Sequence, residues 1–181
     1  DSPVPVLRGA ELLIGTHDGP LEPKPSPLPP PNPGNIEECV FAHIREPGRK
    51  SMDGYRNTGG YQAIQKAIAN LPGQLIELIS ESQLAGRGGA GFPPGTKWKM
   101  VAEADGSPKA IVCNADEGEP GCFKDRALLD HDPHATIEGM LLAAYATGAT
   151  RGFIYLRYEY PDTQATLEHA LSEARNAGWL G

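Results

Sequence analysis

Five glycines crowd the run Gly86-Arg87-Gly88-Gly89-Ala90-Gly91-Phe92-Pro93-Pro94-Gly95-Thr96-Lys97-Trp98, with a cation near each end. Glycine admits positive φ and a close approach of backbone to ligand, so such a run can turn several N–H groups toward a phosphate. Gly86, Gly88 and Gly91 fit the spacing G-x-G-x-x-G. That dinucleotide fingerprint needs a strand directly before it, however, and Gln74 to Leu84 reads as helix. A phosphate-loop NTPase pattern fails as well, because Thr96 stands where that pattern, counted from Gly91, requires glycine. On spacing, the run is either an irregular turn or an unorthodox phosphate or nucleotide loop.

A second run, Asn114-Ala115-Asp116-Glu117-Gly118-Glu119-Pro120-Gly121, sets three carboxylates within four residues directly after an apolar stretch. In open α/β sheets, ligands collect at the carboxyl ends of strands. Carboxylates there can hold ribose hydroxyls, a carboxamide or a ring N–H; a solvated acidic turn is the alternative. No histidine stands nearby at ligand spacing, so no metal site is expected. Lys124-Asp125-Arg126 and Asp130-His131-Asp132-Pro133-His134 read as helix-end chemistry, with Asp132 as N-cap before a proline at the first helical position. His131 and His134 then take capping or surface roles. No serine or cysteine sits in a recognisable activating arrangement, which gives hydrolase triads no support.

These runs need elements to hold them. Cys39 to Ile44 alternates like a short strand, and Tyr61, Ile64, Ile68 and Leu71 recur at helical spacing. Leu75, Ile76, Ile79 and Leu84 continue on one face of a second helix started by Pro72 and stopped by the glycines from Gly86. Beyond the glycine-rich stretch to Gly95, the pattern predicts a strand over Ala110–Asn114 and a helix from about Pro133 to Ala146. A strand over Phe153–Arg157 and a helix from about Asp162 to Ala177 follow. Strands alternating with helices predict an α/β fold, a layered and mostly parallel sheet with flanking helices.

Residues 1–35 carry ten of the eighteen prolines and read as an extended arm or linker, whose apolar start, Val4 to Ile14, could dock as an edge strand on a partner or on the chain itself. Residues 36–181 form the expected α/β unit. With 16 Lys+Arg against 23 Asp+Glu the net charge is −7, which provides no electrostatic footprint for nucleic acid. The longest weakly polar run, Gly139 to Ala149, is too short to span a bilayer. Cys39, Cys113 and Cys122 are odd in number and lack C-x-x-C spacing; free thiols in a reducing, cytoplasmic setting are expected.

Taken together, Gly86 to Trp98, Cys113 to Gly121, Lys124-Asp125-Arg126, His131-Asp132-Pro133-His134 and Ile154-Tyr155-Leu156-Arg157 resemble the NADH-oxidising flavoprotein subunit of respiratory complex I. The diaphorase subunits of NAD-reducing hydrogenases and NAD-linked formate dehydrogenases share the same module. The resemblance runs almost continuously from Ile36 to Gly181, with Gly59-Gly60-Tyr61 in step, and covers the N-terminal half of such a subunit. It implies FMN as cofactor and NAD(H) as substrate, with hydride passing between them and electrons leaving to iron–sulfur clusters. Gly86, Arg87, Gly88, Gly89 and Gly91 would border the flavin, Lys97 would sit near its phosphate, and Asn114, Asp116 and Glu117 would add contacts. Phe92 would stack on adenine and Glu119 would face the nicotinamide, with Lys97 also toward the nucleotide. The hydride chemistry would belong to the flavin, so no protein residue is assigned a catalytic role.

Three departures bear on this. Met100 stands where an aromatic often completes the adenine clamp, and Pro94 replaces a commonly seen threonine. The sequence also ends at Gly181, ahead of the second flavin-binding stretch and the iron–sulfur motif, so the cluster is expected on the remaining half or on partner chains. The expected partners are that half and the iron–sulfur subunits of a larger complex, peripheral to a membrane and without a span of its own. The alternative is a non-catalytic nucleotide-binding or scaffold subunit that needs another chain to complete the flavin site.

Overall fold

A computed structural model describes residues 10–14, 26–32 and 38–181 of the chain. The remainder of the Pro-rich arm, with the expected boundary at 35 and 36, lies outside the described residues. The chain runs β1 (Ala10–Ile14), α1 (Met52–Asn57), α2 (Gln62–Ile68), α3 (Pro72–Glu81), α4 (Pro94–Glu103), β2 (Ala110–Ala115), α5 (Lys124–His131), α6 (Pro133–Thr147), β3 (Arg151–Leu156) and α7 (Pro161–Asn176).

The three strands form one sheet in the order β1-β3-β2, with both pairings parallel. Ala10 lies opposite Gly152 and Ile14 opposite Leu156, while Ala110 and Ala115 face Arg151 and Leu156 across the other ladder. The α/β layering with a parallel sheet is as expected, and part of the apolar start of the arm is the edge strand, docked on the chain itself. One face of the sheet packs on helices: Ile154 and Leu156 of β3 join Met140 of α6 and Leu167 of α7 in a buried cluster. The opposite face carries Val112 and Tyr155, 62% and 45% exposed.

Helix α6 is the hub. Pro133 supplies the preset φ of a first helical residue, and Gly148 ends the helix at φ +73, a conformation glycine enters without steric cost. Between these stops the helix is buried nearly all round, as an interior helix must be when it is apolar on every face. Ile137, Leu141 and Ala144 share a buried cluster with Tyr61 and Ile64 at the start of α2 and with Leu75 and Ile76 of α3, while Met140 faces the sheet. Tyr61 stacks on Trp179 at a centroid distance of 4.9 Å.

Several expectations are corrected. Cys39 to Ile44 is a succession of turns and not a strand: Ala42 N–H donates to Cys39 O, and Ile44 N–H to Phe41 O. These local i to i−3 bonds satisfy backbone groups that a strand would need a neighbour to satisfy, and Ile44, rather than alternate residues, carries the burial, at 2% exposure. The glycine-rich stretch ends early because Pro94 and Gly95 already belong to α4, and Lys124 to His131 forms a full helix, α5. Leu71 and Leu84 fall outside their helices and stay exposed.

His134 is not a surface residue. It is fully buried, with Nδ1 2.9 Å from the Tyr61 hydroxyl and Nε2 3.1 Å from Glu173 Oε2. One turn along α6, the buried Glu138 carboxylate accepts from Tyr61 N–H at 2.8 Å, Ile64 N–H at 3.0 Å and the Tyr55 hydroxyl at 2.5 Å. It thereby serves the orphan donors at the start of α2. Glu173 also accepts from Met52 N–H at the start of α1. Asp132 occupies the N-cap position of α6, but its carboxylate pairs with the buried Arg49 guanidinium at 2.9 Å and makes no capping bond. His131 holds the arm, its Nε2 3.1 Å from the Ser26 carbonyl.

Candidate functional site

The loop before α4 is closed on itself: Gly86 N–H donates to the Phe92 carbonyl at 3.0 Å. A Cβ at Gly86 would lie 2.8 Å from that carbonyl oxygen, so glycine is required there by the loop's own closure. Beyond the closure the backbone opens outward. Gly89 and Gly91 take φ +94 and +63, and a Cβ built at Gly88, Gly89 or Gly91 would meet nothing within 4 Å.

The second loop leaves β2 at its carboxyl end. Asn114 Oδ1 accepts from Asp116 N–H at 3.1 Å, a local turn that directs the chain away from the strand. Next to Asp116, the Glu117 carboxylate accepts from the backbone N–H groups of Asp125 and Arg126 at 3.1 and 3.2 Å, at the start of α5. Arg157, immediately after β3, donates from Nη1 to the Glu117 carbonyl at 2.6 Å.

Between the two loops lies a cleft of about 370 Å³, to which Arg87 and Gly88 contribute from one side and Asn114 and Asp116 from the other. Four of the residues singled out in the sequence therefore meet at one place. Its volume is at the lower end of the range of small-molecule sites. Lys124, Cys113 and Thr136 also line it. Lys124 reaches Asp125 Oδ1 at 2.8 Å, and this bond raises its pKa; burial, with a smaller contribution from Asp125, pushes the Cys113 thiol up and keeps it protonated. Lys124 was visible in sequence as the cation three residues beyond the acidic loop, whereas Thr136 carried no signal, since only the packing of α6 brings it to the cleft.

The other expected contacts are not lining residues of this cleft. The Glu117 carboxylate is 7% exposed as a residue and committed to the start of α5. Glu119 is exposed, with Oε2 3.6 Å from the Cys122 thiol, whose pKa that bond raises. Phe92 is 51% exposed, and Lys97 is exposed in the first turn of α4. Among the described residues no group of three or more histidine, cysteine or acidic side chains is placed to hold a metal ion, and no helix is long and apolar enough to cross a membrane.

Comparison with known proteins gives this arrangement a context. The chain is 45% identical over 147 residues to an NADH-quinone oxidoreductase subunit of Rhizobium meliloti (strain 1021), an alignment that covers 81% of this chain and 35% of that protein. It is 41% identical over 157 residues to the NAD-reducing hydrogenase HoxS subunit alpha of Cupriavidus necator, covering 87% of this chain and 26% of that protein. A crystal structure of an NAD+-reducing NiFe hydrogenase in the H2-reduced state superposes with a TM-score of 0.59 at 41% identity, over 69% of this chain and 22% of that one. The chain thus spans about a third or less of the length of these relatives. Residues 79–180, which hold both loops, the cleft and the sheet strands on either side of α6, match the family described as the Nuo51 FMN-binding domain, and to that family the chain belongs.

Proposed function

We propose that this chain is the front part of an NADH-oxidising flavoprotein, that FMN occupies the cleft between the two loops, and that NAD(H) approaches over it. One observation carries the reading: Gly88 meets Asn114 and Asp116 across a cleft flanked by the cations Arg87 and Lys124, with open space above Gly88, Gly89 and Gly91. These residues fit the group. Slim backbone accepts a flat ring, the two cations suit a phosphate, and Asn114 with Asp116 offers acceptors for ring N–H and hydroxyl donors. When bound, FMN supplies the two-electron chemistry with NAD(H) and the one-electron steps onward to iron–sulfur clusters.

Those clusters would lie on the rest of the protein or on partner chains of a larger complex, a reading supported by relatives that are named as subunits. The organisation fits a Pro-rich arm over residues 1–35 and the first part of the FMN/NADH unit over 36–181, working at the cytoplasmic side. Gly86 and Glu117 support the site from beneath, the first by closing the glycine loop and the second by fixing α5. A second reading, a nucleotide-binding scaffold that cannot turn over alone, draws on the exposure of Phe92 and Glu119 outside the cleft. Titration of the chain with FMN, followed by quenching of flavin fluorescence, tests the site. Saturable quenching, with bleaching of the flavin absorbance on addition of NADH, is expected. No quenching even when the rest of the flavoprotein is supplied overturns the flavin reading, and quenching without bleaching leaves the scaffold.

A further inference from the structure

Arg157 is held from two sides. Glu159 accepts from its Nε at 3.0 Å and from Nη2 at 2.5 Å, a two-point grip that fixes the plane of the guanidinium. The remaining nitrogen, Nη1, then points at the loop beyond β2 and donates to the Glu117 carbonyl at 2.6 Å, while Nε also lies 3.7 Å from Asp116 Oδ1. Directly before Arg157, Leu156 is completely buried, so the side chain projects from a fixed strand end.

The loop it reaches is tied a second time. Glu117 gives its carbonyl to Arg157 and its carboxylate to the start of α5, so Glu117, directly after Asp116, and its peptide with Gly118 are braced between β3 and α5. Asp116 keeps a half-exposed side chain that lines the cleft, but Arg157 does not line it. A lysine could not replace this arrangement. Its single ammonium lacks the planar fork that binds a carboxylate edge-on while donating in another direction.

We propose that Arg157 is a positioning residue for the cofactor cleft: anchored by Glu159, it sets the place of the Asp116 carboxylate through the Glu117 carbonyl and the ion pair. The inference rests on the flavin reading of the cleft, and the two can fail separately. Two measurements on the 181-residue chain test it. The first needs no cofactor: hydrogen–deuterium exchange of Arg157→Gln and Arg157→Lys should show faster uptake confined to residues 114–126, with α2 and α6 as protected as before.

The second is a double-mutant cycle on FMN affinity. Arg157→Gln should weaken binding about tenfold, the effect of one charge-assisted hydrogen bond. In an Asp116→Asn background the same change should cost much less, because the group it positions is already altered. Unchanged exchange in residues 114–126 overturns the proposal, and so does strict additivity in the cycle, which would mark Arg157 as a general stabiliser. If the unsubstituted chain binds no FMN even with the rest of the flavoprotein supplied, the flavin reading falls, and exchange alone then decides whether Arg157 sets the loop.

Discussion

Gly86 and Gly88 stand two residues apart and do opposite things. At Gly86 a Cβ would press to 2.8 Å on the Phe92 carbonyl, whereas at Gly88 it would enter open space at the cleft. Gly86→Val should therefore open the loop and lower the thermal midpoint, while Gly88→Val should leave the midpoint unchanged and abolish FMN quenching. Equal loss of stability in both, by scanning calorimetry, would contradict the division. Density of glycine in the sequence drew attention to the whole run, but could not separate the glycine that closes the loop from those that face a ligand. The same limit applied to the carboxylates. Asp116 and Glu117 look alike in sequence, and only the position of α5, which reads weakly as a helix because Lys124, Asp125 and Arg126 dominate its start, turns Glu117 inward as its cap.

At the scale of elements, α6 unites packing and capping. Glu138 is surrounded by two backbone donors of the α2 start and a tyrosine hydroxyl, all without access to solvent. Glu138→Ala should cost about 3 kcal/mol or more in urea unfolding, since a buried acceptor is removed and its donors are left unpaired. A cost below about 1 kcal/mol would mean that water replaces the carboxylate. Burial pushes the Tyr55 and Tyr61 hydroxyls well above the ordinary tyrosine range, with Glu138 adding to the effect, so both remain protonated at any working pH.

Burial lowers the pKa of His134, and Glu173 and Asp132 only partly oppose it. A base depressed in the folded state stabilises above its unfolded value and loses that contribution as pH falls toward the folded one. Stability should therefore decline as pH drops below about 6.5, the ordinary imidazole value. His134→Asn should be less stable near pH 7.5 but show a shallower decline between pH 7 and 5.5; an unaltered slope would assign the dependence elsewhere. Sequence reading placed α6 almost to the residue, because proline and glycine punctuate it. It gave His134 a capping or surface role because local pattern says nothing of Tyr61 and Glu173, which arrive from distant parts of the chain.

At the scale of the whole molecule, the sheet has one covered and one open face, and its central strand is β3. Alternation of strand and helix predicted the parallel sheet, and β2 and β3 were legible because an apolar run between turn signals has few alternatives. The place of β1 was not legible, since nothing local distinguishes an arm that docks on its own body from one that docks on a partner. Its register, Ala10 beside Gly152, has a kinetic consequence. β2 and β3 come together across about 40 residues that include α5 and α6, while β1 must close a loop of about 140 residues, which adds entropy cost and postpones the contact. The strand that sits at the edge of the finished sheet is then the last to join it. Deleting residues 1–14 should leave the folding rate nearly unchanged and raise the unfolding rate, the signature of contacts absent from the transition state. In stopped-flow experiments a slowed folding limb would instead place β1 in the nucleus.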